Sequence, residues 1–115
     1  MSTLLDKIRD HAQPDLQRRL EVPEWSMDEG KTPLVIHYRM VTLDDMSTVN
    51  DMAKSGALNN IAPYLVALKA TDADGKRLFR TADVPWLREN AAPDVLQSIA
   101  IQMMGRVSIE EARGN

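Results

Sequence analysis

Pro33-Leu34-Val35-Ile36-His37-Tyr38-Arg39-Met40, followed after Val41 by Thr42-Leu43-Asp44-Asp45, is the stretch that decides the fold. Alternation puts Leu34, Ile36, Tyr38 and Met40 on one face of a strand, with His37 and Arg39 on the other. Thr42 then has the hydroxyl that an N-cap needs, and Asp44 and Asp45 suit the positive end of a helix dipole. A strand running straight into a helix is therefore predicted, with the helix continuing to about Ser55 on a stripe of Leu43, Met46, Val49 and Ala53 and stopping at Gly56.

Toward the N-terminus, Leu20 and Val22 alternate with charged residues before Pro23, which reads as an edge strand over the Arg18 to Trp25 region. The polar turn at Asp28, Glu29 and Gly30 would join the two strands into a hairpin. A lone hairpin is marginal in water, so helices must cover its apolar face. Before it, Leu4, Leu5 and Ile8 recur at helical spacing until Pro14, giving a short helix over Ser2 to about His11 within a loosely attached segment 1–17.

Toward the C-terminus, a helix from Asn59 or Asn60 to Ala70 carries Pro63 in its first turn. Ile61, Tyr64, Leu65 and Leu68 form one face, and Ala62, Val66 and Ala67 leave little polar surface, so this helix should be central. Asp72-Ala73-Asp74-Gly75 is a turn, Arg77-Leu78-Phe79 a brief extended piece, and Thr81-Ala82-Asp83 an N-cap region for a short helix with Val84, Trp86, Leu87 and Ala91. Pro93 opens a last long helix through Met104, lined by Val95, Leu96, Ile99, Ala100, Met103 and Val107, with Ile101 and Met104 extending the apolar surface. Ser108-Ile109-Glu110-Glu111 fits a capping box. The expected fold is α+β and mostly helical, an N-terminal β-hairpin packed against about four to five α-helices in a single domain spanning residues 1–115.

Composition narrows the function. The 115 residues are 43% hydrophobic and only 4% aromatic, so aliphatic and methionine side chains must build the core. With no cysteine there are no disulfides, thiolate metal sites or cysteine nucleophiles. The net charge of −3 and the scattering of Lys7, Arg9, Arg18, Arg19, Lys76, Arg77 and Arg80 argue against a nucleic-acid face. No apolar run approaches the roughly 18 residues that cross a bilayer, and Met1 to Asp6 lacks a signal-peptide core, predicting no membrane partner and a cytosolic protein.

Catalysis finds no support. His11 and His37 have no thiol or acidic partner at ligand spacing, no nucleophile elbow organises a serine, and the glycines form no phosphate-binding pattern. Asp72-x-Asp74-Gly75 fails as a calcium loop, because the sixth and twelfth positions hold Arg77 and Asp83, so a plain turn is preferred. No metal, cofactor or enzymatic activity is expected. Asp44, Asp45 and Asp51 could steer a basic partner, although a solvated helix face explains them as well. The seven methionines are more informative. Met46, Met52, Met103 and Met104 lie on helices, where flexible thioethers suit irregular cores and adaptable binding surfaces alike. Together with Ile101 they are the candidate partner-binding residues.

The order of these pieces resembles the tail assembly chaperones of long-tailed bacteriophages. The resemblance runs through Val22-Pro23-Glu24-Trp25, Val35 through Asp45, Asp72-Ala73-Asp74-Gly75-Lys76, Leu78-Phe79, Asp83-Val84-Pro85-Trp86-Leu87 and Asp94 through Val107. It implies a protein of the host bacterial cytoplasm that binds the tape measure protein, helps recruit tail tube subunits and forms homo-oligomers. The main alternative is a head–tail or tail completion adaptor that forms a ring and stays in the virion. A small DNA-acting regulator is a further alternative, but it would need a basic recognition helix, and none is present.

Overall fold

A computed structural model describes residues 3–26 and 32–105. Along the chain run α1 (Leu4–Ala12), β1 (Arg18–Val22), β2 (Leu34–Tyr38), α2 (Leu43–Ala53), α3 (Leu58–Lys69), a 3-10 turn (Thr81–Asp83), α4 (Val84–Asn90) and α5 (Pro93–Met103). This is the mostly helical α+β arrangement with an N-terminal hairpin that the sequence predicts. The Asp28-Glu29-Gly30 turn, Val107 and the Ser108–Glu111 capping box lie outside the described residues.

β1 and β2 pair antiparallel, with Leu20 opposite Ile36 and Val22 opposite Leu34. Leu20, Val22, Ile36 and Tyr38 are buried, as period-two alternation requires. Their face is covered by α5 through Leu96, Ile99, Ala100 and Met103, and the same cluster takes in Val49 from α2 and Ile61, Leu65 and Val66 from α3. α3 is the hub, packed against α2, α4 and α5.

One contact has no counterpart in the sequence reading. Thr71, just past α3, exchanges backbone hydrogen bonds with His37 at 2.9 and 2.8 Å, and its hydroxyl donates to the His37 carbonyl at 2.8 Å. The free edge of β2 is thus partly closed by a single residue. Asp72 organises the turn that follows, its Oδ1 accepting from the amides of Asp74 and Lys76, while Gly75 sits at φ +86°. A Cβ at Gly75 would meet nothing within 4 Å, so Gly75→Ala should cost only the left-handed backbone preference, about 1 kcal/mol in a denaturant melt. A loss several times larger would mean that the turn is held by more than this geometry.

Several helix details differ from expectation. α2 ends at Ala53 rather than near Ser55, because Lys54 takes the left-handed cap at φ +54° and its amide returns to Asn50; Gly56 is not the stop. α3 starts at Leu58, so Pro63 falls in its second turn and interrupts the amide ladder inside the helix. α5 ends at Met103, with Met104 as its cap and Gly105 at φ +80°. α1 is capped at both ends. Thr3 and Asp6 form a complete capping box, Gln13 caps the other end, and no α1 residue is buried.

Candidate functional site

The start of α2 and the end of α5 meet beside the exit of β2. Thr42 fixes one side through its capping box, its hydroxyl accepting from the Asp45 amide at 3.1 Å while its own amide donates to Asp45 Oδ2 at 3.0 Å. That carboxylate also accepts from Lys69 Nζ at 2.9 Å, and Lys69 donates to the Met40 carbonyl at 3.2 Å, clamping the β2–α2 junction to the end of α3. Both side chains are mostly shielded, 15% exposed for Lys69 and 24% for Asp45. Burial alone would push the Asp45 carboxyl up. The Thr42 amide and the Lys69 ammonium outweigh burial and hold the carboxyl below its usual value. Asp45 is therefore a structural group, and of the predicted steering acids only Asp44 and Asp51 are exposed.

Between these elements lies a shallow depression of about 280 Å³ lined by Val41, Thr42, Leu43, Met46 and Met104. Val41, Met46 and Met104 are half-buried and rest on the core. Leu43 is 87% exposed. Its predicted place in the α2 core stripe is therefore corrected: at 100° per residue it lies about 120° around the helix from Val49, the residue that points inward. Of the candidate partner-binding residues, Met46 and Met104 come together here. Met103 is instead buried in the core beneath the hairpin and has no surface to offer. Met52 and Ile101 are half-buried and do not line the depression.

A larger, more polar depression of about 490 Å³ lies between the hairpin and the Asp72–Gly75 turn, with Tyr38, Arg39, Lys69 and Asp74 among its lining. Burial raises the Tyr38 hydroxyl pKa, with the Arg18 charge pulling the other way. The ammonium of Lys69 is committed to Asp45 and the Met40 carbonyl. Among the described residues no group of three acidic or histidine side chains could hold a metal ion, and no helix is long and apolar enough to cross a membrane. His11 is exposed, and His37 is half-buried with its backbone paired to Thr71.

Other exposed large apolar side chains are Leu4, Leu5 and Ile8 on α1, Leu16 just after it, and Trp86 on α4. Sequence reading missed the exposure of Trp86, although α4 spans only Val84–Asn90 and already buries Val84 and Leu87. A helix of two turns has one inward face, and Trp86 is beyond it. No family model, curated protein or solved structure matches this chain.

Proposed function

We propose that this chain is a non-catalytic tail assembly chaperone of the host bacterial cytoplasm, which binds a phage tape measure protein and helps recruit tail tube subunits. The phage assignment rests on the sequence resemblance. The observation that carries client binding is the Val41, Leu43, Met46 and Met104 depression. It offers an exposed leucine at full reach beside two conformationally adaptable thioethers, and it is open enough for an apolar helix edge to lie in it. Asp45 and Lys69 hold the β2–α2 junction beside it through Thr42 and the Met40 carbonyl, and the adaptability resides in the methionine side chains.

The test is co-expression with the long, helix-rich protein encoded just downstream, followed by affinity capture and a solubility assay. Client solubility and co-purification are expected with the natural sequence. Leu43→Asp and Met104→Asp should each lower capture by about tenfold or more, since a carboxylate in an apolar contact stays unpaired. Leu43→Asp should melt like the natural protein. Undiminished capture by both folded variants would remove this surface. An indifferent client, with rings formed by this chain alone, would support the virion adaptor instead.

A further inference from the structure

We infer that the polar cleft between the hairpin and the Asp72–Gly75 turn binds a small dipolar ion with the two charged ends of a free amino acid, its carboxylate on Arg39 and its ammonium on Asp74. At about 490 Å³ the cleft falls within the roughly 300–1,000 Å³ of small-molecule sites. Three charged residues line it, Arg39, Lys69 and Asp74. The Lys69 ammonium is spent on Asp45 and the Met40 carbonyl. Arg39 and Asp74 are exposed, and among the described residues neither side chain has an ion pair or hydrogen bond, with the other or with any third group. One unspent cation thus stands on the hairpin wall and one unspent anion on the turn wall, with a molecule's width of cleft to bridge.

The neutral lining sorts the same way. Gln17 Nε2 donates to the Ala73 carbonyl at 3.1 Å, which fixes that side chain next to Asp74 and leaves its oxygen as an acceptor. The Thr71 hydroxyl has given its proton to the His37 carbonyl at 2.8 Å, so its oxygen can only accept. An ammonium brings three donors and no acceptor, and these oxygens complete what Asp74 begins. Arg39 offers a planar fork of donors that matches a carboxylate. Half-buried Leu68 and the ring of Tyr38 supply an apolar part of the lining for an aliphatic side chain. A lone anion would meet Asp74 and a lone cation would meet Arg39, so the arrangement favours a ligand carrying both charges over one carrying either. Both charged contacts are exposed, so the expected dissociation constant is on the order of 1 mM.

This inference concerns the purified chain and does not depend on the client reading. Titration of the isotope-labelled full chain with L-leucine at low ionic strength, followed through its amide NMR signals, tests it. Saturable shifts are expected at Arg39, Thr71, Ala73 and Gly75. Isoamylamine and isocaproate, which keep the aliphatic part and one charge each, should bind about fivefold more weakly than leucine. Arg39→Gln and Asp74→Asn, both at exposed positions, should keep the circular dichroism and melting of the natural protein and weaken leucine binding by about fivefold. Each variant removes the partner of one end, so Arg39→Gln should lose the preference for leucine over isoamylamine and Asp74→Asn the preference over isocaproate. A loosened fold would not give that crossed pattern. Absence of a saturable shift up to about 50 mM leucine, shifts confined to other faces, a one-charge compound that binds as tightly as leucine, or variants that bind leucine like the natural protein would each overturn the inference.

Discussion

Leu65→Ala lowers stability by about 3–5 kcal/mol in urea or thermal melts, the largest single-residue loss expected in this chain. Leu65 is fully buried in the middle of α3, the helix that packs against α2, α4 and α5, and it shares one core cluster with Ile36, Val49 and Ile99. Truncation removes three carbons that touch several elements at once, and helices held to a hairpin can close the void only partly. A domain of this size holds about 6–17 kcal/mol in total, so the loss is a large fraction of the whole and should lower the melting temperature by more than about 10 °C. Leu43→Ala is the contrast. It removes the same carbons from a position 87% exposed and should stay within about 0.5 kcal/mol of the natural protein. Equal losses at the two sites would contradict the assignment of α3 as the hub.

The second large effect is at Asp45. Asp45→Ala strips the carboxylate from the Thr42 amide and from Lys69 together, leaving a shielded ammonium with only the Met40 carbonyl. A lost cap costs about 1 kcal/mol, and an ammonium without its ion partner adds to it, so about 2–3 kcal/mol is expected at neutral pH. The pH dependence follows from the direction of the shift. Burial opposes ionisation, but the Thr42 amide and Lys69 prevail and depress the folded-state value. The contribution is therefore complete above the ordinary carboxylate range near about pH 4 and is lost as pH falls through the lower folded value. Urea melts of the natural protein and Asp45→Asn should differ most at pH 7 and converge toward pH 2. A difference that grows on acidification would show that the carboxylate is not held in its charged form.

The hairpin and the helix order were legible because both depend on local periodicity. Leu20, Val22, Ile36 and Tyr38 alternate, and Thr42 with Asp45 forms a cap within four residues. The weld of Thr71 to His37 was not legible, since one residue pairing across 34 positions leaves no period to read. Lys54 rather than Gly56 takes the left-handed cap, because its backbone reaches Asn50 and a short loop to α3 follows. The candidate site was half legible. Methionine content pointed to Met46 and Met104, but neighbouring residues on a helix differ by about 100° in direction, so Met103 went to the core and Met104 to the surface. Leu43 reads as core in the sequence because a stripe of apolar residues does not say which of its members stands at the edge. That depends on where α3 and α5 pack.

The cover over the hairpin has a consequence for how the chain is made. Tyr38 donates to the Gln102 carbonyl, 64 residues later, and α5 is the layer that lies on Leu20, Val22 and Ile36. A ribosome adding about 5–20 residues each second needs roughly 3–13 s to cross that interval. Throughout it Leu20, Val22, Ile36 and Tyr38 are made but their lid is not, and two strands alone are too few to hold as a sheet. Every newly made copy thus begins life with these side chains uncovered, and the rate of translation through α2, α3 and α4 sets how long that lasts.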